Sequence, residues 1–103
     1  MTRGRVYISG PMTGLPGFNF AAFDEAAAVL EAWGWEVENP AEKGIIDGWT
    51  WADYLRYDLA RLVECDGVVL LPGWEASKGA RLEHHVATEL GMWIMYYIPM
   101  TLS

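Results

Sequence analysis

Apolar residues fall along this chain in two rhythms, short unbroken runs and helical spacings, and the two alternate. The run Val6-Tyr7-Ile8 stops at Ser9-Gly10-Pro11 and predicts a buried first strand over 6–8. Residues 10–17 hold three Gly and two Pro, which fits neither helix nor strand. Phe20, Phe23, Ala27 and Leu30 then recur at helical spacing, and Gly34 stands where a helix C-terminus favours glycine. A second short strand is expected over 35–38, ended by Asn39-Pro40, with a loop over 41–49. Thr50 followed by Asp53 has the spacing of a capping box, so a second helix starts there and runs to about Cys65. The continuous run 67–71, bounded by Asp66 and Pro72-Gly73, is the clearest strand. After a loop over 73–79, a third helix is expected over 80–90, closed by Gly91, and a last strand over 92–98.

The order β-α-β-α-β-α-β predicts an α/β fold: a small doubly wound, Rossmann-like or flavodoxin-like parallel four-stranded sheet with helices on both faces. In such sheets ligands bind beyond the carboxyl ends of the strands, at a topological switch point. The loops at that edge, 10–17, 39–49 and 72–79, are the longest and the richest in Gly and Pro. The 103 residues suit one domain, 1–103. No repeat or linker interrupts it.

Composition narrows the classes. Hydrophobic residues make up 52%, enough for a core. The six Trp, five Tyr and three Phe exceed what that core needs, so some are expected to line a pocket or a subunit interface. A net charge of −7 argues against a nucleic acid polymer as partner, because phosphate-backbone binding needs a basic surface. It leaves room for one nucleotide, held by a local cradle of N–H groups. A single Cys excludes an internal disulfide, no Cys/His spacing suggests a metal, and no cofactor is implied. The start Met1-Thr2-Arg3-Gly4-Arg5 does not read as a signal peptide, and no run reaches transmembrane length. A cytoplasmic protein with no membrane partner is expected.

Two carboxylates break the helical patterns. In the third helix Val86, Ala87 and Leu90 form an apolar stripe, and extending it back by three and four residues lands on Glu83. In the second helix Asp58 lies inside the stripe Trp51, Tyr54, Leu55, Leu59 and Leu62. Each acid by itself reads as a hydrogen-bonded edge residue. Together at one loop-rich edge they read as acid/base or nucleophilic groups, since burial raises a carboxyl pKa and fixed donors hold it in place. Asp58 is roughly 12 Å from its helix N-terminus at the standard rise, so it reaches the site only if that helix starts well above the sheet.

The segments Val-Tyr-Ile-Ser-Gly-Pro-Met at 6–12, Asp58-Leu59-Ala60 with Cys65-Asp66-Gly67-Val68-Val69, and Ser77-Lys78-Gly79-Ala80-Arg81-Leu82-Glu83 resemble the nucleoside 2-deoxyribosyltransferase-like superfamily. The resemblance is to its short DUF4406-type branch of bacterial and phage proteins, related to 2′-deoxynucleoside 5′-phosphate N-hydrolases. It covers residues 6 to about 95, and its specific element is Ser-x-Gly-x-x-x-Glu. The resemblance implies that Glu83 is a nucleophile at C1′ of the sugar. It implies that Asp58 assists the leaving base or orients Glu83, that Tyr7 contacts the nucleophile, and that Ser77 holds a 5′-phosphate. It further implies a homo-oligomer, a dimer or larger. The sequence is shorter than the proven enzymes of that superfamily. It has Pro11-Met12-Thr13 where the hydrolases carry Ser-x-Arg, and Lys78 and Arg81, beside a helix N-terminus, are the candidates to replace the lost charge.

The expected activity is therefore cleavage or transfer of the N-glycosidic bond of a (deoxy)nucleoside or its 5′-monophosphate. The alternative is non-catalytic binding of a nucleotide or nucleotide signal on the same fold; a third reading gives the aromatics to assembly alone. Ser9, Gly10, Pro11, Met12, Asn39, Trp51 and Gly79 join Ser77, Lys78 and Arg81 as candidate substrate contacts. Trp49, Trp51 and Trp74 offer flat surfaces for a base. His84 and His85 read as surface or satisfied polar groups, and Cys65 as a buried, inert thiol.

Overall fold

The structure, a computed structural model, describes residues 3–99. Met1 and Thr2 of the N-terminal stretch, and residues 100–103 of the expected domain, lie outside the described residues. The elements are β1 (Arg5–Ser9), α1 (Phe20–Ala32), β2 (Glu36–Glu38), α2 (Trp51–Leu62), β3 (Gly67–Leu70), α3 (Lys78–Glu89) and β4 (Trp93–Tyr96). All strand pairs are parallel, in the order β2-β1-β3-β4, with Tyr7 opposite Glu38 on one side and Val68 on the other. The chain is thus the expected α/β sheet. The direction of winding reverses between β1 and β3, which makes their C-terminal ends the switch point.

Strand alternation sends side chains to two cores. Val6, Ile8, Val69 and Leu71 pack against Phe23, Ala26, Ala27 and Leu30 of α1. Tyr7 and Val68 point the other way, onto Leu62 at the end of α2, Cys65 in the turn that follows it and Ala87 of α3. Helices therefore cover both faces. A Cβ on Gly67 would come within 2.1 Å of the Trp93 ring, so only glycine lets that indole lie across the start of β3. Trp93 in turn meets Trp35, with ring centroids 5.1 Å apart.

Several boundaries differ from those expected from sequence. Residues 16–19 are not open loop: Pro16–Asn19 form a 3-10 turn, in which Phe18 and Asn19 take left-handed φ of 52° and 60°. The helix α2 begins on the expected capping box, with Thr50 Oγ1 and the Asp53 carboxylate exchanging bonds with each other's backbone N–H, but ends at Leu62 rather than Cys65. The helix α3 starts at Lys78, two residues early, because Ser77 Oγ accepts from Ala80 N and caps it there. Its buried line is Ala80, Glu83 and Ala87; Leu90, expected in the apolar stripe, is the exposed C-terminal cap. Among the described residues no helix is long and apolar enough to cross a membrane.

Candidate active site

Tyr7 and Ser9 stand two residues apart on β1, so both face the α2/α3 side of the sheet. The helix α3 lays its buried line over them, and Glu83 is the residue that arrives. Tyr7 Oη donates to Glu83 Oε2 at 2.5 Å and Ser9 Oγ donates to Oε1 at 2.7 Å. The three side chains are buried, Glu83 to 6% residual exposure. Burial pushes the Glu83 carboxyl up to about 7; the hydroxyl donors of Tyr7 and Ser9 oppose that rise, the nearby Asp58 adds to it and Lys43 opposes it. Burial and the Glu83 charge hold the Tyr7 phenol well above its ordinary value, so it remains a donor.

Asp58 makes an ion pair with Lys43, Nζ to Oδ1 2.5 Å, and both side chains are largely buried. Lys43 Nζ also donates to the Pro40 carbonyl at 2.9 Å. Burial raises the Asp58 carboxyl above its ordinary value, and the Lys43 ammonium pulls against that rise.

These groups surround a cavity of about 300 Å³. Trp51, Tyr54, Leu55 and Asp58 line it from α2 at the i, i+3, i+4, i+7 positions of one helix face. The cavity therefore runs along the first two turns of α2, which is how Asp58 reaches it from deep within the helix. Tyr7 and Glu83 form the sheet-side wall, Gly10, Met12 and Thr13 the β1 edge, and Phe18, Phe20 and Phe23 the α1 flank. Ser77, Gly79 and Ala80 bring the N-terminus of α3 to it. A Cβ on Gly10 would meet Leu71 Cβ at 2.8 Å, so glycine keeps the ends of β1 and β3 close at this edge.

Of the residues expected as substrate contacts, Gly10, Met12, Trp51, Ser77 and Gly79 line the cavity. Five others do not. Ser9 is fully buried and holds Glu83 instead. Asn39 is spent on its own surroundings, its Oδ1 accepting from Ala41 N and its Nδ2 donating to Asp24. The Pro11 carbonyl accepts from Asn19 Nδ2, away from the cavity. Arg81 is exposed and donates to the Glu75 carbonyl. Lys78 is exposed, with its Nζ 4.6 Å from the Trp51 ring centroid, at the outer side of that wall. Trp49 packs on Tyr54 and Tyr57, and Trp74 stacks on His84 at 4.5 Å, so of the three tryptophans offered for a base only Trp51 borders the cavity. The chief residue missed from sequence is Lys43. Its signal was a lone cation in the Gly- and Pro-bearing loop at the ligand edge, opposite the one acid that breaks the α2 stripe.

The chain matches the DUF4406 family, a domain of unknown function, over residues 4–96, and belongs to it. No curated protein matches the sequence.

Proposed function

We propose that this protein cleaves or transfers the N-glycosidic bond of a (deoxy)nucleoside or nucleoside 5′-monophosphate, with Glu83 as nucleophile. The observation that carries the reading is a buried carboxylate on the wall of a 300 Å³ cavity with a hydroxyl donor on each oxygen. A structural glutamate gains nothing from facing a cavity at the cost of burial. A nucleophile gains orientation, and weak solvation leaves its oxygen reactive.

In the reaction a Glu83 oxygen attacks C1′ on one face of the sugar as the bond to the base breaks on the other, through an oxocarbenium-like transition state. The C1′–N electron pair leaves with the base, which takes up a proton. Water, or a second base, then attacks C1′ and releases Glu83. Tyr7 and Ser9 hold the carboxylate in one orientation, and Asp58 serves the leaving-base side. The rings of Trp51, Phe18 and Phe20 supply apolar surface for a base, while Ser77 and Gly79 set the N-terminus of α3 beside a 5′-phosphate. The motif resemblance supports the same assignment of Glu83, Asp58, Tyr7 and Ser77. Self-association belongs to the reading as well, supported by exposed Val63, Leu82, Leu90 and Tyr96 around α2, α3 and β4.

The test incubates the protein with nucleosides and 5′-monophosphates, with and without an added free base, and follows released or exchanged base. Release is expected, and its loss in Glu83→Gln. Base release undiminished in Glu83→Gln removes Glu83 from the role. Saturable nucleotide binding with no turnover assigns the site to non-catalytic binding.

A further inference from the structure

A departing base leaves with an electron pair and needs a proton at its ring nitrogen, and few groups around the cavity have one to give. The Tyr7 proton is committed to Glu83. Ser77 Oγ caps α3. His84 is stacked on Trp74 and does not border the cavity. Asp58 Oδ1 is taken up as the acceptor of the Lys43 ammonium, which opposes the rise that burial gives its carboxyl.

From this geometry we infer that Lys43 is the general acid that protonates the departing base, with Asp58 as its positioning residue; the inference rests on the glycosidase reading above. Lys43 is the one cation among the described residues that lines the cavity with Glu83. Its side chain keeps only 12% exposure. Of its three ammonium protons, one goes to Asp58 Oδ1 and one to the Pro40 carbonyl, which leaves the third without a partner among the described residues. The Tyr57 and Tyr54 rings, with centroids 5.3 and 5.8 Å from Nζ, confine the ammonium further. Tyr54 is itself pinned, its Oη accepting from Ile46 N at 2.7 Å. The ammonium is thus held at four points, with one proton left to give.

The arrangement also supplies the return of that proton. Lys43 and Asp58 form part of a second, polar cavity of about 310 Å³, which Glu38, Glu42, Tyr57 and Arg61 line. The pair is thus reached from two sides. In the first step the C1′–N bond breaks, Glu83 bonds to C1′, and a Lys43 proton passes to the base nitrogen, leaving a neutral amine beside Asp58. In the second, water attacks C1′, the Glu83 carboxylate departs, and the water's proton restores the Lys43 ammonium. The sum is nucleoside plus water to sugar plus free base.

The experiment compares wild type, Glu83→Gln, Lys43→Ala and Lys43→Arg on the nucleosides and 5′-monophosphates above, with each variant's melting temperature recorded and ethylammonium added to Lys43→Ala. Arginine keeps the charge and the Asp58 partner but does not give up a proton. Both Lys43 variants are expected to lose about 100-fold or more in kcat, the usual contribution of a general acid. Ethylammonium is expected to restore turnover to Lys43→Ala in proportion to its concentration. Lys43→Arg turning over near the wild-type rate overturns the inference, since charge alone then suffices, whether or not Lys43→Ala folds. Absence of amine rescue in a folded Lys43→Ala overturns it too. Base release that Glu83→Gln abolishes and neither Lys43 variant reduces overturns this assignment and leaves the glycosidase reading standing. Wild type releasing no base from any of these compounds overturns both.

Discussion

A carboxyl group that titrates near neutrality is a liability to the fold and a resource for chemistry, and Glu83 carries both consequences. Its folded pKa of about 7 stands above the ordinary 4.5, so the folded state binds the proton more tightly than the unfolded chain. The stability this contributes is complete below about pH 4.5 and is lost as pH rises through 7. Glu83→Gln removes the titration, so it is expected to be more stable than wild type at pH 8. The gain is up to about 3 kcal/mol, since each tenfold difference in proton affinity between the folded and unfolded chain is worth about 1.4 kcal/mol. Urea unfolding at pH 8 and pH 4.5 checks this: the gap should close at the lower pH, and a constant gap would contradict it. The same group predicts the pH profile of turnover. Attack needs the ionised form, so base release should rise through pH 7. The Tyr7 hydroxyl favours that form, hence Tyr7→Phe should move the rise to higher pH in kcat/KM. Glu83 and Asp58 stood out as acids in apolar stripes, and Tyr7 came only with the resemblance. Lys43 was missed because nothing local to residues 40–44 says that α2 passes beside them. Arg81, a cation next to a helix start, was misleading because its reach is taken up by the Glu75 carbonyl.

At the scale of elements, α2 does two things: it walls the cavity through its first two turns and sets Asp58 against Lys43. Its start rests on the capping box of Thr50 and Asp53. Thr50→Ala should cost about 1 kcal/mol, read as a lower urea midpoint, and it should weaken substrate binding as well, because Trp51 is the first residue of the helix it frays. An unchanged midpoint would mean that tertiary packing alone fixes the helix start. This cap was plain in the sequence, since it depends on residues three apart. The start of α3 was misplaced by two residues although Ser77 was in view, because Gly79 weakened the helical pattern just where the cap allowed it. Spacing alone puts Leu90 in the buried stripe; the helix ends at Glu89 and the stripe with it.

For the whole molecule, the parallel order β2-β1-β3-β4 puts the switch point between the strand that carries Tyr7 and the strand that leads into the helix of Glu83. The topology therefore brings together residues 74 and 76 positions apart in the chain. Self-association is a property of the same scale. Sedimentation equilibrium at micromolar concentration is expected to give a dimer or larger species, and a mass of one chain would remove assembly from the proposal.

Periodicity, turn chemistry and short-range spacing are properties of neighbouring residues. They sufficed to set the alternation of strands and helices, hence the parallel sheet, and to single out the loop-rich edge and the two acids nearby. They did not place Glu83 between two hydroxyls or Asp58 against Lys43, and they did not sort the loop residues that face the cavity from those that face away. Tertiary packing settled these, because they depend on where separate elements cross. Hydrophobic burial sets those crossings for the chain as a whole rather than for any stretch of it.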